Sequence, residues 1–306
     1  MRPELTRASD LLRTNSPEAV SEAIALLQDT VFSFSMKMCG HREDAEDTAQ
    51  EVLFRSLKHL HKLQDPSALA AWLYTVTRNR CHRMRGAPDA SPSRSLSLDE
   101  LMPDAAELSR LLLDTATSPE GSLLRAEQRQ LLHQALLGIP TALRLVLVLH
   151  DMEDLDTDMV ARILGLQPGT VRVRLHRARL ALRKAIALLI EKSAPRHDTR
   201  PRGKPLRSRP RAAVRRPQEC RELFASLSEY LDGQLKPDTC DKMRTHIEGC
   251  PACVAFLRDL RAAIDRCRSM EVACDPSVTE RLQAMLTREY LRMIGKSAVA
   301  DQNPRR

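Results

Sequence analysis

Residues 156–184 read DTDMVARILGLQPGTVRVRLHRARLALRK, and the pattern of this stretch decides the fold. Asp156 is placed to cap a helix whose apolar residues Val160, Ile163 and Leu164 follow at helical spacing. Gly165 suits the left-handed residue that ends such a helix, and Pro168 stands where a second one begins. On that second helix Val171, Leu175, Ala178 and Leu182 form an apolar stripe. The stripe leaves Arg172, Arg174, His176, Arg177, Arg179 and Arg183 for an outward face. Two amphipathic helices joined by a short glycine turn are the ingredients of a helix-turn-helix, whose second helix enters the major groove of DNA. An arginine there bonds both acceptors of a guanine while its neighbours hold phosphates. A solvated basic helix in an ordinary bundle is the alternative, but cap, glycine and proline coincide here, and DNA reading is the expectation.

Outward from this stretch, composition bounds the class. A chain of 306 residues with 42% hydrophobic content is long enough for two or three small domains with their own cores. Aromatic residues make up 3%, which fits helical bundles built on Leu, Ala and Val better than sheets, so an all-α protein is expected. A formal charge of +8 favours an acidic polymer as partner. No apolar run approaches the roughly 20 residues of a membrane span. The first residues, MRPELTRASDLLRTNSPEAV, lack the apolar core of a secretion signal, so a cytoplasmic location is expected. The eight cysteines then serve as thiols or metal ligands rather than disulfides.

Before about Ser16 the chain is polar and weakly periodic, which predicts a frayed terminus with weak helix at best. From Pro17 to Met38, Ala19, Ile24, Leu27, Val31, Phe34 and Met38 mark an amphipathic helix. A second helix is expected after Gly40. Its first turn carries Glu43, Asp44, Glu46 and Asp47, and its inner face continues through Val52, Leu53, Ser56, Leu57 and Leu60. Further on, Arg78, Arg80, Arg83 and Arg85 make a basic helix suited to phosphates. Asn79 and Tyr74 are placed to touch or stack on an unpaired base, whereas Trp72 is read as core.

These stretches carry a resemblance. IPTALRLVLVLHDMEDLDTDMVARILGLQPGTVRVRLHRARLALRK (139–184) resembles region 4 of the extracytoplasmic-function (ECF) group of sigma-70 family sigma factors. DAEDTAQEVLFRSLKHL (44–60), followed by ALAAWLYTVTRNRCHRMR (68–85), resembles region 2 of the same family. The resemblance implies that Thr170 to Arg177 contact the −35 promoter element, with Arg179 alongside. It implies that Asp44, Glu46, Asp47, Gln50, Glu51 and Phe54 bind the clamp helices of the RNA polymerase β′ subunit, and that 63–85 handles the −10 element. The implied partners are core RNA polymerase and promoter DNA.

Between these regions, GAPDASPSRSLSLDELMPDAAELSR (86–110) is rich in Pro, Ser and acid and reads as a linker, with Leu96, Leu98, Leu101 and Met102 as a short apolar segment that docks on a neighbour. Leu131, Leu132, Leu136 and Ile139 resume the helical pattern. SAPRHDTRPRGKPLRSRPRAAVRRP (193–217) lacks the apolar content to fold alone and reads as a basic tether.

Cys220, His246, Cys250 and Cys253 form C-x25-H-x3-C-x2-C, a donor set of three thiolates and one imidazole that closes a tetrahedral zinc ion. Cys240 is an alternative fourth ligand to Cys220. Residues 220–256, CRELFASLSEYLDGQLKPDTCDKMRTHIEGCPACVAF, resemble the zinc-binding domain of anti-sigma factors, which in that family grips a sigma factor and covers its working surfaces. Here the implied contact is intramolecular. Val278, Leu282, Met285, Leu286, Tyr290 and Met293 predict one more amphipathic helix.

The organisation expected is therefore sigma region 2 over 17–86, a flexible linker over 87–118 and a helix-turn-helix region 4 over 119–192. A basic tether follows over 193–217, a zinc module over 218–270, and a C-terminal helix and tail over 271–306. No nucleophile triad, phosphate-cradling loop or open metal site is visible, so no catalysis is expected. Two other readings stay open: an operator-binding regulator that works without polymerase, and a zinc or redox-sensing adaptor.

Overall fold

Ser16 starts the helix that the N-terminal half of the molecule is built around. Its hydroxyl accepts from the Ala19 amide at 3.2 Å, Pro17 occupies the first turn, and Gly40 closes the helix at φ 81°, a left-handed conformation that glycine adopts without strain. The computed structural model describes residues 2–14, 16–60, 62–63, 65–84, 97–103, 107, 123–193, 226–270, 272, 274 and 276–301, and every regular element among them is a helix. In chain order these are α1 (Pro3–Thr14), α2 (Pro17–Cys39), α3 (Arg42–Leu60), α4 (Pro66–Met84), α5 (Leu98–Leu101), α6 (Leu123–Leu137) and α7 (Thr141–Leu147). A π-helical turn (Val148–Met152) continues α7 and is followed by α8 (Thr157–Leu164) and α9 (Pro168–Ser193). The remaining helices are α10 (Leu227–Leu231), α11 (Pro237–Gly249), α12 (Pro251–Arg268) and α13 (Pro276–Asp301). The basic tether and most of the linker lie outside the described residues. None of the described helices is long and apolar enough to cross a membrane.

The chain divides into two compact units. The first comprises residues 1–94, 140–171 and 268–306; the second comprises 95–139 and 172–267.

In the first unit α2 is buried nearly all round, polar Gln28, Thr30, Ser33, Ser35 and Lys37 included, because α1, α3, α4 and α13 pack against it. The terminus expected to fray is instead the helix α1, with Leu5, Ala8 and Leu12 buried at helical spacing. Its apolar stripe is short, but α2 supplies the surface that orders it. Likewise α13 lies on α2 and α3, burying Leu282, Leu286 and Tyr290 while Gln283 donates to the carbonyl and hydroxyl of Ser21 at 2.8 and 2.9 Å. Met285, expected on that inner face, is exposed instead.

A buried polar cluster ties the unit together. Glu153, with no exposed surface, accepts from Lys37 Nζ at 2.7 Å and Tyr74 Oη at 2.7 Å, and pairs with Arg2 Nε at 3.0 Å. Three segments thus converge on one carboxylate whose desolvation cost these charge-assisted bonds offset. Burial first, and the neighbouring carboxylate second, raise the Tyr74 phenol well above its ordinary pKa. Tyr74 is therefore a core residue, not the exposed base-stacking platform expected from the sequence. Trp72 is half-buried, with its ring 5.2 Å from that of His59.

In the second unit, α5 opens with a reciprocal cap between Ser97 and Glu100 and buries Leu101 of the expected apolar segment; Leu98 and Met102 are half-buried, and Leu96 lies outside the described residues. Lys184 of α9 bonds the Glu100 carbonyl. Leu132, Leu136 and Ile139 are buried towards and just beyond the end of α6.

Candidate nucleic-acid interface and metal cluster

The helix-turn-helix forms by the local chemistry its sequence announces. Asp156 Oδ1 accepts the Met159 amide at 2.7 Å, Gly165 ends α8 at φ 66°, and α9 begins at Pro168. At the start of α9, Thr170 and Arg172 are exposed; Arg174 and Arg177 are half-buried. Leu175, Ala178 and Leu182 form the buried stripe.

His176, Arg179 and Arg183 do not face outward as expected. They form a third face, buried against residues of the zinc-module segment. His176 Nδ1 lies 3.0 Å from Ser228 Oγ, and burial, with Arg179 and Arg177 close by, lowers its pKa to about 4. The Arg179 guanidinium grips the Asp232 carboxylate at 2.9 and 2.8 Å. Arg183 pairs with Asp259 at 2.7 Å and with Glu107, and its guanidinium carbon stands 4.6 Å over the Phe256 ring. Helical periodicity separates core from non-core positions. It carries no information on which non-core positions meet another segment of the chain, so Asp232, Asp259, Glu107 and Phe256 have no local signal of this role.

In the first unit, α3 presents Asp47, Gln50 and Phe54 to solvent, and Phe54 is 52% exposed, unusual for a large apolar side chain. Asp44, Glu46 and Glu51 are half-buried. Glu46 pairs with Arg42 at 2.9 Å, while Glu51 pairs with both Arg55 and Arg80 at 2.6 Å. On α4, Arg78 donates to the Ile163 carbonyl at 2.6 Å and to Asn79 Oδ1, and burial lowers its pKa. Asn79 and Arg83 are exposed; Arg85 lies outside the described residues. Of the basic residues expected on α4, Arg78 and Arg80 are thus engaged within the protein.

The candidate metal ligands converge in part. α11 ends at Gly249, Cys250 takes an extended conformation (φ −126°, ψ 93°), and α12 restarts at Pro251, so the chain turns sharply between the donors. His246, Cys250 and Cys253 offer ligand atoms that all lie within 4.8 Å of one another, with Cys253 Sγ 3.4 Å from His246 Nε2. Two thiols and an imidazole at this spacing suit zinc, which takes soft sulfur and nitrogen donors tetrahedrally. Cys240 is not in this cluster; its Sγ lies 4.0 Å from Arg244. Cys220 lies outside the described residues.

Residues 23–87 match the family described as Sigma-70 region 2, residues 129–182 match Sigma-70, region 4, and residues 220–253 match the family described as "Putative zinc-finger". The RNA polymerase sigma-H factor of Pseudomonas aeruginosa is 30% identical over 168 residues, which span 54% of this chain and 85% of that protein. The ECF RNA polymerase sigma factor SigW of Bacillus subtilis is 24% identical over 176 residues, 57% of this chain and 92% of its relative. The ECF RNA polymerase sigma-E factor of Escherichia coli is 28% identical over 149 residues, 49% and 77% of the two chains.

Two promoter-reading regions of this type define a sigma factor, the class of protein that directs RNA polymerase to promoters. The chain belongs to the sigma-70 family, in its extracytoplasmic-function group, and carries a zinc-finger domain after region 4. Its relatives are sigma factors, which are not enzymes.

Proposed function

We propose that this sigma factor is held in check by its own zinc module, which grips the recognition helix α9 until a signal loosens it. The observation that carries the reading is the clasp of Arg179 by Asp232 and of Arg183 by Asp259, with both arginines buried. Carboxylates there neutralise side chains suited to DNA phosphates, so His176 and Arg179 are available to a promoter only once the module leaves. Covalent attachment raises the module's local concentration to roughly millimolar, enough for a weak contact to persist.

The residue roles follow the same reading. Asp47, Gln50 and Phe54, with Asp44, Glu46 and Glu51 beside them, bind the β′ clamp helices; the exposure of Phe54 supports this. Asn79 and Arg83, joined by Arg78, Arg80 and Arg85 after rearrangement, attend the −10 element. Thr170, Arg172, Arg174 and Arg177 read the −35 element. Cys220, His246, Cys250 and Cys253 hold one structural zinc, which closes the module's fold and supplies no catalysis. The protein works in the cytoplasm, where its polymerase is.

The test is run-off transcription with core RNA polymerase, comparing the full chain with one ending at Lys192. Higher activity in the shorter chain is the expected result. Equal activity would remove the restraint and leave the sigma function standing.

A further inference from the structure

Val173 is 54% exposed on a helix where most apolar side chains are buried. At 100° per residue it stands ~170° around α9 from the centre of the stripe formed by Leu175, Ala178 and Leu182. It therefore points away from that stripe, one residue from Arg172 and Arg174 and one helical turn before Arg177, while Leu180, two turns further along the same face, is buried. The clasp face of His176, Arg179 and Arg183 lies to one side and leaves this position open. A β-branched residue here gains nothing in helix propensity and little in packing. An outward position on the leading turns of a recognition helix is the one that meets the floor of the major groove. The only apolar group that a base pair displays there is the C5-methyl of thymine.

We infer that Val173 is a specificity-determining residue that packs on a thymine C5-methyl within the −35 element, between bases and phosphates held by the flanking arginines. The inference rests on the reading of α9 as the −35 reader. The side chain has no hydrogen-bonding group, so it rewards the methyl by burying apolar surface and penalises a cytosine by leaving its amino donor unpaired. Arginine neighbours give affinity and guanine preference, and Val173 adds thymine preference beside them.

The experiment uses holoenzyme assembled from the full chain and core polymerase, transcribing a promoter library randomised across the −35 region, with transcripts sequenced for wild type, Val173→Ser and Val173→Ala. Wild type is expected to select thymine at one position, and both variants to relax that position while keeping their guanine preferences. On the selected promoter, replacing that thymine by deoxyuracil removes only the methyl. It should lower wild-type transcription about fourfold, the worth of burying one methyl group, and leave Val173→Ala unaffected. Unchanged thymine selection in both variants, or equal use of deoxyuracil by wild type, would overturn the methyl contact alone. Absence of any base preference across the randomised region would overturn the −35 reading of α9, and the contact with it.

Discussion

Arg179 meets Asp232 with both ends of its guanidinium, at 2.9 and 2.8 Å, and the arginine has no surface left for solvent. Removing one partner of a buried pair strands the other charge, which costs roughly 3–5 kcal/mol, whereas the intact pair contributes far less. Asp232→Ala should therefore release the module from α9 more effectively than the loss of two hydrogen bonds alone would. Transcription by the full chain carrying this change should rise towards that of the chain ending at Lys192. Activity at the wild-type level would show that the clasp does not limit promoter use.

His176 makes the clasp sensitive to acid. The groups facing it are Arg177 and Arg179 on its own helix and Ser228 across the contact, with Asp232 drawn in through Arg179. Its pKa falls from 6.5 to about 4 when buried, so the neutral ring is the docked form. The folded pKa lies below the free value, so docking is at full strength above pH 6.5. It weakens by up to about tenfold per unit as pH falls from there towards 4. Thermal unfolding between pH 7.5 and 5 should show an extra loss of stability in wild type that His176→Gln lacks. Parallel curves for the two proteins would contradict this.

The cluster of His246, Cys250 and Cys253 predicts which cysteine matters. Purified under reducing conditions, the chain should carry about one zinc, as a closed site of this donor set does. Cys250→Ser should lose the metal, and Cys240→Ser should keep it, because Cys240 stands apart from His246, Cys250 and Cys253. Metal loss in Cys240→Ser would make that residue a ligand and displace Cys220 from the role.

The carboxylate of Glu153 should be a stability determinant of the first unit. Glu153→Ala leaves Lys37 buried without its carboxylate, at a cost of roughly 3–5 kcal/mol. Tyr74→Phe removes one hydrogen bond to a charged group, worth about 1.5–3 kcal/mol. Urea unfolding of the two variants should rank them in that order. A Glu153→Ala protein as stable as wild type would mean that the cluster relaxes without strain.

How far the sequence anticipates these features depends on where each signal lies. Asp156, Gly165 and Pro168 act within a few residues of themselves, so the helix-turn-helix is legible in the order of residues alone. The same holds for His246, Cys250 and Cys253, which are brought together by a break in a single stretch. Tyr74 misleads because its partner is 79 residues away in sequence, and an aromatic on a mixed helix does not announce which side is covered. His176, Arg179 and Arg183 mislead for a related reason: a basic residue off the core stripe looks the same whether it meets water, phosphate or a carboxylate from later in the chain. The opening helix is hard to see because so few buried residues make a weak periodic signal without their neighbour α2.

The three faces of α9 also bear on how such a protein changes over evolutionary time. Leu175, Ala178 and Leu182 serve the core, His176, Arg179 and Arg183 serve the clasp, and Val173, Arg174 and Arg177 lie on neither. On the proposed reading, substitutions on the last face would alter which promoters are addressed without disturbing the contacts of the clasp. A duplicated copy would then drift to a new set of targets while inheriting the proposed restraint intact, and would not pass through a constitutively active ancestor.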